Sequence, residues 1–203
     1  MQYALAVCGT LLLSGCSSKY SQVPARLDLA SYGRVAIVTF AADQPNDPMS
    51  ALATQRFAEA LLANQSGVEL LELGLADSTL KALPPNADGA ALAQALGKQK
   101  NVPAVFVGTL KVSKMKPRGH IDASGLNVRA GVSAELTVRL LSTSTGGTVW
   151  RSSSVANGTV GRVNISASLP SIALRDKEEA YGEVVRQLIV DVTRDLRPTW
   201  VKQ

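Results

Sequence analysis

The sequence predicts an α/β fold of the α+β kind, a mixed, partly antiparallel sheet with helices packed on it, in the order β-α-β-α-β-β-β-α. Three observations carry that expectation. The run Arg34 to Phe40 is β-branched with apolar residues on both faces, as in a strand covered on two sides, and Ala104 to Val112 is likewise apolar at nearly every position up to Gly108, then alternates as though one face begins to meet water. Val128 to Leu141 alternates instead: Val128, Ala130, Val132, Ala134, Leu136, Val138 and Leu140 oppose Arg129, Ser133, Glu135, Thr137 and Arg139, the pattern of a half-buried antiparallel strand. Asp176 to Leu196 has helical period, with Ala180, Tyr181, Val184, Val185, Leu188, Ile189, Val192 and Leu196 on one stripe.

The first fifteen residues stand apart from that fold. Ala4 to Leu13 is an apolar run of about ten residues, half the ~20 that span a bilayer as a helix and the size of a signal-peptide core. It ends in Leu13-Ser14-Gly15-Cys16, which resembles a bacterial lipobox. In that pattern the Cys16 thiol takes a diacylglycerol, a peptidase cuts before Cys16, and the new amino terminus is acylated. Small Ser14 and Gly15 admit the peptidase, and only the cysteine sulfur supplies the nucleophile. The expected organisation is a signal peptide over 1–15, a lipidated cysteine and short tether over 16–31, and a single periplasmic domain over 32–203. Only Met1, Gln2 and Tyr3 precede the apolar core, so a basic leading segment is missing; a start upstream of Met1 would supply it. Ser17 and Ser18 follow the cysteine where an Asp would favour the inner membrane. The expected location is therefore the outer membrane, facing the periplasm.

The elements follow in order. Ser17 to Ala30 is polar, contains Pro24 and lacks periodicity, so it reads as a tether reaching no more than ~50 Å. After the Arg34 to Phe40 strand, Asp43, Pro45, Asn46 and Asp47 supply turn chemistry. Met49 to Ala63 is a helix with Ala53, Phe57, Ala60 and Leu61 on one stripe. Val68 to Leu73 is a short strand, and Asp77 to Asp88 a loop. Gly89 to Lys98 is a second helix capped by Asp88. Ala104 to Val112 is the third strand, and Ser113 to Asn127 reads as a loop. Thr145-Gly146-Gly147 turns the alternating strand into a hairpin with Val149-Trp150-Arg151 and the serines after it, the wet face of an edge strand. Asn164 to Leu174 is weakly specified, with Pro170 confining any strand to an edge. Glu178, Glu179 and Glu183 near the start of the last helix and Arg194 and Arg197 near its end suit its dipole, and Pro198 stops it.

Composition limits the chemistry. Cys8 leaves with the signal and Cys16 carries lipid, so neither a disulfide framework nor a cysteine metal site is expected. The single histidine, His120, sits in a turn-rich basic stretch with no nucleophile motif, which argues against a His-rich zinc site and a Ser-His-Asp triad. No glycine-rich phosphate motif follows the first strand. The expectation is a non-enzymatic chain with no catalytic residues, no metal and no cofactor beyond the diacylglycerol and acyl chain on Cys16. The net charge is +5, too diffuse for nucleic acid and suited to anionic lipid or glycan. Its one concentration is Lys111, Lys114, Lys116 and Arg118, read either as a solvated loop or as a patch for an anionic polysaccharide or membrane. Tyr20, Tyr32 and Trp200 are candidate interfacial anchors, with Trp200 alternatively packing back on the core.

The lipobox, the short tether, the strand Arg34 to Phe40, the strand Val105-Phe106-Val107-Gly108-Thr109-Leu110, the hairpin closing on Thr145 to Trp150 and the long last helix together resemble the CsgG/LpoB-like group of envelope lipoproteins. That group includes PelC and has a fold similar to the TolB N-terminal domain. The resemblance covers about 32–196 and rests on element order and strand character. It implies a non-enzymatic scaffold or accessory subunit in envelope assembly or export, with envelope protein partners and a homo-oligomer. Departures narrow it: Ser113 to Asn127 is too short for two membrane-crossing strands of about nine to eleven residues each, and the tether is shorter than the long linker of synthase activators. The alternatives are a monomeric module for an anionic glycan and a peptidoglycan-synthase activator.

Overall fold

The computed structural model describes residues 20–43, 48–74, 77, 81–82, 88–113, 116–122, 125–165, 170–174 and 177–202. Between 116 and 130 and between 160 and 180 the description is of the backbone. The expected mixed sheet is present, with eight strands. Its path runs β4 (Glu69–Leu73), β2 (Arg34–Val38), β5 (Ala104–Val112), β7 (Gly125–Ser142), β8 (Thr148–Ile165) and β9 (Pro170–Leu174). The short β3 (Ala41–Ala42) adds to β5, and β6 (Lys116–Asp122) adds to β7. A separate two-stranded ribbon joins β1 (Tyr20–Val23) to β10 (Thr199–Lys202).

The sheet changes character along its width. β2 is parallel to both β4 and β5, because α1 (Pro48–Asn64) and α2 (Gly89–Lys100) carry the chain back over opposite faces. Both faces of β2 are therefore dry. Val35 and Ile37 join the core beneath α1 and α3 (Lys177–Val192), while Ala36 and Val38 join Ala93 and Leu96 of α2. From β5 onward the pairing is antiparallel. There Val132, Ala134, Leu136, Val138 and Leu140 face α3, and the intervening residues face outward, with Glu135 exposed.

Local chemistry explains the helices. Pro48 begins α1, where a missing N–H costs nothing. Asp88 caps α2 as expected, its carboxylate accepting from the Ala91 N–H at 2.7 Å, and Asn101 ends it at φ 51°. In α3, Val184, Val185, Leu188, Ile189 and Val192 are buried on one stripe. The helix stops at Val192 and a 3₁₀ turn covers Arg194–Leu196.

A chain of edge-to-face aromatic contacts crosses the core. Phe40 to Phe57 is 5.5 Å, Phe57 to Phe106 5.2 Å, and Phe106 to Trp150 6.1 Å between ring centroids. Gly108 makes room for it, since a Cβ there would collide with the Phe40 ring. The backbone of Phe40 is satisfied from α1: its N–H donates to Thr54 Oγ1 at 2.8 Å, and Ser50 Oγ donates to its carbonyl.

Gln65, buried just past α1, joins both ends of the chain. Its Oε1 accepts from the Leu29 N–H at 2.8 Å, and its Nε2 donates to the carbonyls of Leu27 at 3.0 Å and Leu196 at 2.7 Å. The Leu27 N–H also donates to the Asp195 carbonyl at 3.1 Å. The described part of the short tether expected over 16–31, from Tyr20 onward, is built into the fold. Tyr20–Val23 is a strand and Leu29 is fully buried, because the carboxy-terminal segment supplies ladder partners that lie far away in sequence.

Candidate interaction surfaces

The lipobox residues Leu13, Ser14, Gly15 and Cys16 lie outside the described residues, and so does Lys114. The rest of the expected basic cluster does not form a loop. Lys111 is exposed on β5 in register with Glu135, while Lys116, Arg118 and His120 belong to β6. The cause is an overhang. β5 ends at Val112 opposite Ala134, leaving the outer part of β7 unpaired on that side, and β6 fills the gap by pairing over Gly125 to Gly131. An edge that long with open N–H and C=O groups recruits even a stretch as weak in strand propensity as Lys-Pro-Arg-Gly-His.

The pairing of β6 has an electrostatic result. Arg118 is in register with Arg129, and Arg129 with Arg162, so three adjacent strands hold arginine at one level of the sheet. His120, Asn127 and Asn164 stand in register two positions along. Sequence reading placed Arg129 off the core face, but Arg162 could join it only through the β7–β8 register. That register includes a bulge between Ala130 and Gly131, which shifts every later pair by one residue.

A groove of about 1120 Å³ runs between α1 and α3, over Met49, Leu52, Ala60, Ile189, Val190 and Arg197. Its rims are ion pairs within single helices, Arg56 with Glu59 at 2.8 Å and Arg186 with Glu183 at 2.6 Å. The hydrogen bond from Arg186 to Glu183 raises the Arg186 guanidinium above its ordinary value, with the Coulombic attraction of the same carboxylate adding to it. Arg197 donates from Nη2 to Thr193 Oγ1 at 2.5 Å, and its buried Nε has no partner among the described residues. The groove thus offers apolar contact and a guanidinium whose donors are only partly used.

A smaller polar recess lies where Ser152, Ser153 and Ser154 meet Asp191, Arg194 and Asp195. Ser154 is not on a wet face as expected. It is 9% exposed and donates to Asp191 Oδ2 at 3.2 Å, whereas Ser153 on the outer face shares a hydrogen bond with Thr137 at 3.0 Å. Of the expected aromatic anchors, Tyr32 packs partly against the core, while Tyr20 is 57% and Trp200 65% exposed on the β1–β10 ribbon. Trp200 therefore does not pack back on the core. Among the described residues no three His, Cys, Asp or Glu cluster as metal ligands, and no helix is long and apolar enough to cross a membrane.

No family model matches the chain, and no curated protein matches it. Similar solved structures include a PelC dodecamer from Paraburkholderia phytofirmans, 18% identical, covering 88% of this chain and 96% of that one at a TM-score of 0.46. Lipoprotein GNA1162 from Neisseria meningitidis is 16% identical, with 76% and 93% covered and a TM-score of 0.42. The LpoB C-terminal domain from Escherichia coli is 17% identical, with 61% and 82% covered and a TM-score of 0.38.

Proposed function

We propose that this chain is a lipoprotein of the outer membrane, facing the periplasm, and a non-enzymatic accessory or scaffold subunit in envelope assembly or export. The observation that carries the reading is the apolar run closing on Leu13-Ser14-Gly15-Cys16, with a folded domain beginning a few residues later. A diacylglycerol and an acyl chain on Cys16 would hold the domain at the bilayer, since two or more chains give stable anchoring where one is marginal. Envelope partners and further copies of the chain have strand edges to pair with that are open among the described residues: β4 at one side of the sheet, and at the other the stretch of β8 that β9 leaves uncovered.

Metabolic labelling with palmitate tests the anchor. The native chain takes label and fractionates with the outer membrane; Cys16→Ala takes none and leaves the membrane fraction. Label on the Cys16→Ala chain, or its unchanged retention, overturns the reading. The mass of the detergent-extracted protein tests the scaffold role, which requires more than one copy or a bound partner.

The aligned Arg118, Arg129 and Arg162 favour a second reading, a monomeric module for an anionic glycan. Binding to an acidic polysaccharide that weakens steeply with salt, and is lost when all three become Gln, would support it.

A further inference from the structure

The β1–β10 ribbon is regular structure with little protection from solvent. Seven of its eight residues are exposed, and Ser21 is half-buried. A two-stranded ribbon is at best marginally stable in water, and leaving a large apolar side chain exposed forgoes about 1.5–3 kcal/mol. Yet this ribbon carries Tyr20, Val23, Trp200 and Val201, all among the large exposed apolar residues.

The register sorts them. Tyr20 is opposite Lys202 and Gln22 opposite Trp200, so these four share one face, while Ser21, Val23, Thr199 and Val201 share the other. Tyrosine and tryptophan with lysine is the combination that suits a membrane–water boundary. The rings have an apolar body and a polar edge, and the ammonium meets anionic headgroups.

Covalent geometry selects the occupant. Cys16 is four positions before Tyr20, so even a fully stretched chain places Tyr20 within ~14 Å of the cysteine. A lipid-modified Cys16 sits at the headgroup layer of the bilayer. We infer that the face bearing Tyr20, Trp200 and Lys202 seats in that layer as a second membrane contact. The inference rests on the lipidation proposed above. Because Gln65 and the Leu27–Asp195 hydrogen bond tie the segments that flank the ribbon to the domain, its seating orients the whole molecule. The domain docks against the bilayer instead of swinging on a leash.

Trp200 is its own reporter. The lipidated full-length protein carrying Trp150→Phe, so that Trp200 is the sole tryptophan, is reconstituted into vesicles of phosphatidylethanolamine and phosphatidylglycerol, with and without a lipid brominated near the headgroup. Palmitate incorporation and vesicle flotation are read on the same sample. The expected result is a blue-shifted Trp200 emission that the brominated lipid quenches. A labelled, floating protein whose Trp200 emits as in water overturns the ribbon contact and leaves the anchor standing. Blue-shifted emission that brominated lipid does not touch places protein on this face and also overturns it. Absence of label and flotation overturns both proposals together. Should Trp150→Phe fail to fold, the difference between the native and Trp200→Phe spectra reads the same signal.

Discussion

The two halves of the sheet solve burial differently. Around β2 the strands are parallel, and helices cover both faces, so Val35, Ala36 and Ile37 are each essentially inaccessible. Around β7 and β8 the strands are antiparallel, and α3 covers one face, leaving Thr137 and Ser153 outside. β7 and β8, at 18 residues each, also extend well past the end of β5, which has 9. The parallel half is therefore committed to stability. Beyond the edge of β4 and the α1–α3 groove, the surfaces that face water belong to the antiparallel half and to the ribbon.

Substitution should expose that division. The largest effect is expected from Phe106→Ala, which removes a fully buried ring from the centre of the aromatic chain and should cost about 4 kcal/mol, read as a lower urea midpoint. A loss below about 1 kcal/mol would mean the parallel half tolerates cavities and is not the rigid part. Gly108→Ala comes next. The added methyl meets the Phe40 ring at the junction of the halves, and about 2 kcal/mol of overpacking is expected; unchanged stability would show that the ring can move aside. The smallest effect is expected from Ser153→Ala on the water-facing side of β8, within about 0.5 kcal/mol. A larger loss there would place that face under cover and erase the contrast.

The same contrast decides what could be read from the sequence. β2 and the first half of β5 announce themselves because a strand dry on both faces must be apolar at almost every position, and α3 does so because five buried residues repeat at helical spacing. The Asp88 cap is equally local. β6 is different: Lys116 to Asp122 has no strand-like composition, and its pairing is imposed by the overhang of β7, a neighbour in space. β1 and β10 are concealed for the same reason, each finding its partner at the opposite end of the chain. The alignment of Arg129 with Arg162 depends on register shifts between β7 and β8 that composition does not encode. Ser154 belongs to the same class, since only the packing of α3 reveals that it meets Asp191.

The Gln65 clamp gives the molecule a mechanical property. Its amide holds the entering and departing segments at one corner, next to the ladder Tyr20 to Val23 makes with Thr199 to Lys202. A pull on the amino terminus is met first by those paired backbones and by three side-chain hydrogen bonds, before any load reaches the central strands. Load entering from that side would thus open this corner before it reaches the folded body behind it.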